Sequence, residues 1–442
     1  MTTLMERRRP AAESAPLRPE FRSGFAPLAG AAVLLTLAVA LAVPAESWQG
    51  GWAETRDHTH AAAVLLGIPL SLAAGCWQGG RERRRGTGDL LETAVRGALP
   101  RFLASAVPVA VWVAVGHLLA AGCALLATWS CATGDSPYLV VPLGDSLLLG
   151  CAALAGQVVG RAVPWRLAAP VLATAGYAVL GFLSYDHDNA WSALSPLTDA
   201  SADRMPVWWQ PWVSVVWVGG LAAAAVLFLT ARRRAVALVP LACATAAAVL
   251  LVGADGLTRP APVAGRQVCD TSTTPQVCVN ARYERLLPQI TEALSGLTGR
   301  LEGVDHIPVR FEDRRGRPRA DEAELPMVTP LGWSVVRGKL TEPGQYAWEA
   351  GMALFSRADC DDTQPAVART DAAVEHYLAP SPQEKYFDEL DARGSAADRA
   401  ALKDRQRARA RLLGMAQDER RAWLSEYFAT AGDCDPSGVP TL

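Results

Sequence analysis

The sequence has none of the short motifs by which common hydrolase and nucleotide-binding sites are recognised. A phosphate-binding GxxxxGK[ST] loop, a zinc-binding HExxH pair and a GxSxG nucleophile turn are all absent. These absences exclude a P-loop ATPase, a zincin metalloprotease and an α/β-hydrolase. The sequence therefore predicts no enzyme, no catalytic residue, no metal site and no cofactor. Any ATP-driven work would need a separate subunit.

Lysine and arginine are also absent from seven long apolar stretches in the first 254 residues. Each approaches the roughly 20 apolar residues that cross a ~30 Å hydrocarbon core. The sequence therefore predicts an α-helical polytopic membrane bundle, with spans at about 25–44, 61–79, 103–128, 143–160, 167–184, 212–230 and 236–254. Glycine and proline interrupt residues 137–162, so a segment that dips and returns, leaving six spans, is the alternative. The first stretch follows an arginine-bearing head, residues 1–24, which favours a retained span over a cleaved signal peptide.

Arginine placement predicts the orientation of these spans. Sixteen arginines fall in the N-terminal head and in alternate connecting segments, whereas the other loops hold only Arg56 and Arg204. Because positive charge resists translocation, the N-terminus is predicted to be cytoplasmic. Tryptophans such as Trp48 and Trp52 lie near predicted outer ends, as an interfacial belt requires. Seven spans then place residues 255–442 outside the cell, in a multi-pass protein of the plasma membrane.

Residues 255–442 differ in composition from the bundle, since they hold 29 acidic and 24 basic residues against 15 and 18 before them. A linker is predicted at 255–268, followed by an α+β extracytoplasmic domain at 269–442. Leucine and isoleucine recur at helical spacing after a short strand-like segment, which predicts a strand and an amphipathic helix within 276–297. Further helices are predicted at 345–357, 370–378 and 395–430, and strands at 306–313 and 333–340.

Four of the nine cysteines lie in the predicted outer domain, namely Cys269, Cys278, Cys360 and Cys434. Thiols in an oxidising compartment form disulfides, and four cysteines allow three pairings. We expect Cys269 to pair with Cys278 and Cys360 with Cys434. A zinc site is the alternative, but no CxxC pair and no histidine at ligand spacing accompany these cysteines.

Polar side chains within or at the ends of the predicted spans include His117, Asp145 and Gln157. A charge in hydrocarbon costs about 2.5–3.5 kcal/mol or more, so such residues are rare and often functional. His117 has two interpretations, a proton relay or a neutral histidine bonded to a neighbouring helix, and the scarcity of other ionisable groups favours the second. The GxxxG segment Gly156–Gly160 permits close helix packing.

A basic insert, residues 80–101, separates the second and third spans and carries six arginines. It could be a nucleic-acid patch, a membrane-surface anchor or a docking element for another protein. Its aromatic content is low and neither half of the chain is strongly basic, so no nucleic-acid partner is predicted.

The insert also contains a predicted amphipathic helix. Thr87 can act as its N-cap, and Asp89 in the first turn is favourable to the helix dipole. Leu90 and Leu91 begin one apolar face, and Pro100 is expected to end the helix. Such a helix is typical of segments that lie along a membrane surface.

The run Arg81-Glu82-Arg83-Arg84-Arg85-Gly86-Thr87-Gly88-Asp89-Leu90-Leu91-Glu92-Thr93 resembles a segment of type-2 ATP-binding-cassette (ABC) export permeases. Those proteins carry a charged run with a glutamate, then Gly-Thr and Leu-Leu, between their second and third spans. Residues 150–181 resemble the fourth- and fifth-span region of actinobacterial members. Residues 277–297 are similar to the start of an extracytoplasmic region that some members carry.

This resemblance implies a permease-like subunit that works as a homo- or heterodimer in the lipid membrane with a cytoplasmic ABC ATPase. The residues implied to dock the ATPase are Arg81, Glu82, Arg83, Arg84, Arg85, Gly86, Thr87, Asp89, Leu90 and Leu91. Ordinary members have six spans and little outside the membrane, whereas this chain adds a predicted span and a large tail. A non-transporting, membrane-anchored extracytoplasmic binding or sensor protein is therefore the alternative.

Overall fold

The computed structural model describes residues 21–22, 24–86, 97–132, 136–185, 190–197, 203–313, 318–319, 321–328, 335–354, 364–431 and 438–442. The chain divides into two compact units. The first unit, which we call the bundle unit, comprises residues up to Val43, Arg56–Leu126 and Pro137–Arg259. The second, the tail unit, comprises Pro44–Thr55, Ala127–Ser136 and Pro260–Leu442.

Apolar helices build the bundle unit. Within the described ranges, six are long and apolar enough to cross a membrane, which indicates a membrane protein. They are α1 (Phe25–Ala42), α3 (Trp52–Gly79), α5 (Ala98–Trp129), α6 (Val140–Ala162), α8 (Gln210–Thr230) and α9 (Leu238–Gly253, which a 3₁₀ turn at Arg234–Ala237 precedes). A four-residue helix, α2 (Ala45–Trp48), joins α1 to α3, and another, α4 (Arg81–Arg84), follows α3.

The helix α7 (Ala168–Tyr185) corresponds to the predicted fifth span. It is apolar, but its apolar part, Ala168–Ser184, is shorter than each of these six helices when α9 is counted with the turn that precedes it. Six of the seven predicted spans therefore match helices of membrane-crossing length. The helix that contains the predicted second span begins at Trp52, ahead of residue 61, because the polar segment Trp52–Ala62 is helical and continuous with it. A π-helical turn at Ala63–Gly67 joins this polar segment to the apolar remainder of α3.

The bundle helices define two ends. At one, which we call the arginine end, the residues after α3 meet the end of α6, since Arg83 donates a hydrogen bond to the Gly160 carbonyl. At the other, the histidine end, His60 of α3 meets Asp145 of α6. The two helices therefore run in the same direction. The start of α8 packs beside the start of α6, where Pro211 lies against Gly144, so α8 runs parallel to both.

Close packing of α3 against α6 depends on glycine. A Cβ atom at Gly156 would lie 2.1 Å from the Leu72 carbonyl oxygen, and one at Gly160 would lie 2.0 Å from that of Cys76. A Cβ atom at Gly75 of α3 would likewise lie 1.9 Å from the Ala153 carbonyl oxygen. The predicted GxxxG segment therefore lies in a tight helix contact, in which small residues let two backbones approach.

A small mixed sheet forms the start of the tail unit. Its strands are, in spatial order, β3 (Gln267–Asp270), β4 (Gln276–Asn280), β5 (Arg310–Glu312) and β6 (Glu322–Glu324). Two earlier strands, β1 (Arg204–Pro206) and β2 (Thr258–Pro260), form a separate two-stranded sheet. β3 and β4 are antiparallel, and the other two pairings are parallel. Residues predicted as one strand near 333–340 include a two-stranded hairpin, β7 (Val335–Val336) and β8 (Lys339–Leu340). Arg337 and Gly338 at its turn both have positive φ.

The described part of the tail unit also contains the α-helices α10 (Leu287–Leu301), α11 (Pro343–Met352), α12 (Pro365–Leu378), α13 (Glu384–Arg393), α14 (Ala396–Gly414) and α15 (Gln417–Ala429). The amphipathic helix predicted within 276–297 is confirmed as α10, because Ile290, Leu294 and Leu297 are fully buried. The single helix predicted at 395–430 is wrong, since the chain leaves the helix after Gly414 and a new one begins at Gln417. Apolar side chains of the sheet and of α10, α12, α14 and α15 form one core.

Two further expectations fail. Pro100 does not end a helix: it lies in the first turn of α5, where proline's missing N–H has no intrahelical partner to lose. Trp48 and Trp52 do not form an interfacial belt, because their side chains are 3% and 7% exposed. Trp52 instead packs edge-to-face against Trp129, with ring centroids 6.0 Å apart.

Candidate functional site

The arginine end holds the described part of the predicted docking segment. The Arg83 guanidinium donates to the carbonyls of Gly160 (2.7 Å) and Arg161 (2.9 Å), both in the last turn of α6. This turn carries the partial negative charge of the helix C-terminus, which favours a cation. Glu82 accepts a hydrogen bond from Arg161 at 3.2 Å. Two adjacent docking candidates are therefore bonded to the same helix end.

A third helix joins this cluster through Ser105 of α5. Its hydroxyl accepts hydrogen bonds from Gln157 at 2.6 Å and from Arg161 at 3.1 Å. The Arg161 guanidinium also lies over the Phe102 ring, 4.7 Å from its centroid. Gln157, predicted as an intramembrane polar residue, thus links α6 to α5. The start of the insert, at Glu82 and Arg83, and the residue Ser105 just after the insert both contact α6.

The remaining docking candidates are placed differently. Arg85 and Gly86 are exposed, and Arg81 is partly buried. Thr87, Asp89, Leu90 and Leu91 lie outside the described residues, so the amphipathic helix remains a prediction.

The histidine end contains a charged pair buried among the helices. His60 Nδ1 lies 2.8 Å and 3.0 Å from the two Asp145 carboxylate oxygens, and His60 Nε2 lies 3.1 Å from the Pro196 carbonyl oxygen. Asp145 is 3% exposed and His60 8%. A carbonyl and an ionised carboxylate can only accept hydrogen bonds, so both ring nitrogens must then carry protons. The pair is therefore an imidazolium–carboxylate ion pair, or its neutral form with the shared proton on Asp145.

His117 occupies a second buried position near this end. Its Nδ1 lies 3.0 Å from the Ser146 hydroxyl, which in turn donates to the Pro142 carbonyl at 2.7 Å. Because that hydroxyl proton is committed to Pro142, His117 Nδ1 is the donor to Ser146. The predicted bond between a neutral His117 and a neighbouring helix fits this arrangement. Its Nε2 finds no hydrogen-bond partner within the described part of the chain.

The space beside the His60–Asp145 pair is small. A cavity of about 10 Å³ touches His60, Asp145, Gln210 and Ser214. That volume is about the minimum for one water molecule. In this conformation the cavity beside the pair has room for about one water molecule and none for a substrate.

His60 is the functional candidate that the sequence prediction missed, because it lies one residue before the predicted second span. Three observations could have indicated it. The segment Trp52–Ala62 holds seven polar side chains yet runs directly into an apolar helix. An aspartate at the end of a predicted span, Asp145, favours a cation as its partner. The π-helical turn at Ala63–Gly67 is a feature that recurs at functional sites. The first two can be read from the sequence.

In the tail unit, a disulfide joins Cys269 to Cys278. The two residues lie directly opposite each other on the antiparallel strands β3 and β4. Their sulfurs are therefore not available as zinc ligands, and no group of three metal-ligating side chains comes together anywhere in the described ranges. Cys360 and Cys434 lie outside those ranges, so their pairing remains a prediction.

The comparisons with known proteins give no family assignment: no family model, no curated protein and no solved structure matches this chain.

Proposed function

We propose that this chain is the membrane-spanning, permease-like subunit of an ABC export system, driven by a separate cytoplasmic ATPase that docks on residues 80–101. The observation that supports it most is the bonding of Glu82 and Arg83 to the last turn of α6. A force applied to the insert reaches α6 through these bonds and reaches α5 through Ser105. Such a segment is suited to transmit movement from a docked protein to the spans.

A seven-span topology with a cytoplasmic N-terminus is part of this proposal. The parallel directions of α6 and α8 require the chain between them to return from the arginine end to the histidine end. α7 makes that return: it begins beside Cys76 and is followed by Pro196, which contacts His60. Its 18 residues extend about 27 Å at 1.5 Å per residue, close to the ~30 Å thickness of the hydrocarbon core. The tail unit is then an α+β extracytoplasmic domain and the arginine end faces the cytoplasm.

Co-purification from the native host tests the ATPase partner. The intact tagged protein is isolated in mild detergent, and vanadate-sensitive ATP hydrolysis in the eluate is measured. We expect Glu82→Arg to lower the recovered hydrolysis at least tenfold, because it places a cation against Arg161. Leu90→Asp combined with Leu91→Asp should have the same effect, because it removes the apolar face.

Arg232→Gln is the matched control, since Arg232 lies in another predicted cytoplasmic loop that connects α8 to α9. It should leave the recovered hydrolysis unchanged. If all three variants recover as much ATP hydrolysis as the unmodified chain, the docking proposal is wrong.

A second candidate is a non-transporting membrane-anchored sensor or binding protein. The observation that favours it is the large core of the tail unit, which includes twenty-five buried hydrophobic residues. A host in which the gene is deleted separates the two functions by complementation. A permease should fail with either Glu82→Arg or removal of residues 260–442, whereas a sensor should fail only with the second.

A further inference from the structure

A basic cavity lies at the arginine end of the bundle unit. Its volume is about 490 Å³, within the range of ordinary ligand sites. Three arginines, Arg83, Arg84 and Arg166, and two tryptophans, Trp77 and Trp165, contribute to its lining. The other lining residues are glycine, alanine, valine, proline and Cys76, and none is acidic. The cavity is therefore selective for an anion by its charge.

Hydrogen bonds to backbone carbonyls position two of these arginines. No acidic side chain lines the cavity to neutralise their charges. Arg83 is held by the Gly160 and Arg161 carbonyls. Arg84 donates to the Trp77 carbonyl and lies over the Trp77 ring, 4.1 Å from its centroid. A guanidinium has five N–H donors, so each of these side chains keeps donors for a ligand. Arg166 is exposed at the same cavity.

The residues around the cavity indicate that its anion belongs to a membrane lipid. Cys76, Ala168 and Ala169 form a buried apolar cluster on one side of the cavity, at the ends of two apolar helices. Trp77 and Trp165 are 46% and 53% exposed, as expected of side chains at the level of lipid headgroups. Basic pockets between membrane helices are typical sites for anionic headgroups.

We propose that this cavity binds the phosphate headgroup of an anionic membrane phospholipid such as phosphatidylglycerol. The phosphate lies between Arg84 and Arg166, the glycerol contacts the two tryptophans, and the acyl chains leave along the apolar surfaces of α3 and α7. This site is independent of the proposed ATPase, because it needs only the arginine end and a lipid. A lipid bound there would hold the start of the insert, Arg81–Arg84, against the membrane.

Native mass spectrometry of the full-length protein tests the proposal. The purified protein is equilibrated with equal amounts of phosphatidylglycerol and phosphatidylcholine that carry the same acyl chains, and the retained lipids are counted. We expect phosphatidylglycerol to be retained about tenfold over phosphatidylcholine, because both offer the same phosphate but the arginines of the cavity repel the choline cation. Arg84→Gln combined with Arg166→Gln should reduce this preference about tenfold.

Two control variants keep the outcome interpretable. Arg85→Gln removes an exposed arginine from the same segment that does not line the cavity, and it should keep the preference. Arg84→Lys combined with Arg166→Lys keeps the charges and should retain most of it. A double Gln variant that stays monodisperse in size-exclusion chromatography and still prefers phosphatidylglycerol would overturn the proposal, as would an equal loss in Arg85→Gln.

Competition distinguishes a lipid from a free phosphate ester. sn-Glycerol 3-phosphate presents the same phosphate and glycerol without acyl chains. We expect no displacement of phosphatidylglycerol at equal concentration, because the acyl chains add apolar contacts. Full displacement would show that the cavity takes a soluble phosphate ester, and the lipid assignment would then be wrong.

Discussion

At the scale of single residues, the His60–Asp145 pair combines a high desolvation cost with close geometry. Taking two charges out of water is unfavourable, and their attraction compensates only when the hydrogen bonds are well made. Here both ring nitrogens of His60 have acceptors, at 2.8–3.0 Å on Asp145 and 3.1 Å on Pro196. The pair carries no net charge, whichever of the two side chains holds the shared proton. Ionisable groups inside membrane proteins generally mark such functional positions.

A double-mutant cycle measures the coupling within this pair. Asp145→Ala and His60→Ala should each lower the free energy of unfolding in mixed micelles by about 3 kcal/mol, because each leaves a buried partner without compensation. The double variant should lose at least 1 kcal/mol less than the sum of the two single losses, since neither partner is then left alone. Additivity of the two losses to within about 0.5 kcal/mol would contradict direct coupling.

At the scale of elements, the packing of α3 against α6 depends on glycines at the points of closest approach. Gly160→Ala should lower the free energy of unfolding by about 1–3 kcal/mol, because its Cβ would lie 2.0 Å from the Cys76 carbonyl oxygen and the helices must separate. Gly150→Ala in the same helix is the matched control, since its nearest neighbour would be an ordinary 3.7 Å away. Thermal unfolding in detergent compares the two. Equal effects would show that the close approach to Cys76 does not determine the loss, because alanine is the better helix former at both positions.

How much could be predicted from the sequence also differs between elements. Membrane-crossing helices follow from local composition, and six of the seven predicted spans have helices of sufficient length. The buried face of α10 followed from its 3.6-residue periodicity. The break after Gly414 and the hairpin at Arg337–Gly338 were missed, although each lies at a glycine, a residue that often marks a helix end or a two-residue turn.

The same distinction applies to the candidate site. Asp145, His117 and Gln157 could be selected because polar residues stand out in apolar runs. His60 stands out less, because it lies in a polar segment, and its contacts with Asp145 and Pro196, far along the chain, required the structure. Glu82 and Arg83 were selected by resemblance, but their bonds to the last turn of α6 required the structure.

At the scale of the whole molecule, the tail unit includes more of the chain than the C-terminal residues. Pro44–Thr55, which connects α1 to α3, and Ala127–Ser136, which connects α5 to α6, belong to it. Arg285 donates to the Ser130 carbonyl at 2.8 Å, and Arg337 donates to Gln49 at 2.9 Å. A fragment that begins at Pro260 would lack these partners. The tail unit therefore includes these two segments as well as the residues after Arg259, and side-chain contacts join them within the unit.

The strongest of these contacts to test is the hydrogen bond from the Tyr283 hydroxyl to Glu54, at 2.9 Å. Burial, together with the Glu54 carboxylate, raises the pKa of Tyr283 well above its ordinary value, so the hydroxyl remains a donor. Tyr283→Phe should lower the local stability of the tail unit by about 1.5–3 kcal/mol, the contribution of a hydrogen bond to a charged group. In the full-length chain this should appear as faster hydrogen exchange in both α10 and residues 44–55. Tyr386→Phe removes a hydroxyl from a side chain that is 65% exposed and should change neither region. Faster exchange in α10 alone would mean that other contacts hold residues 44–55. The prediction that the Tyr283–Glu54 hydrogen bond couples these residues to α10 would then be wrong.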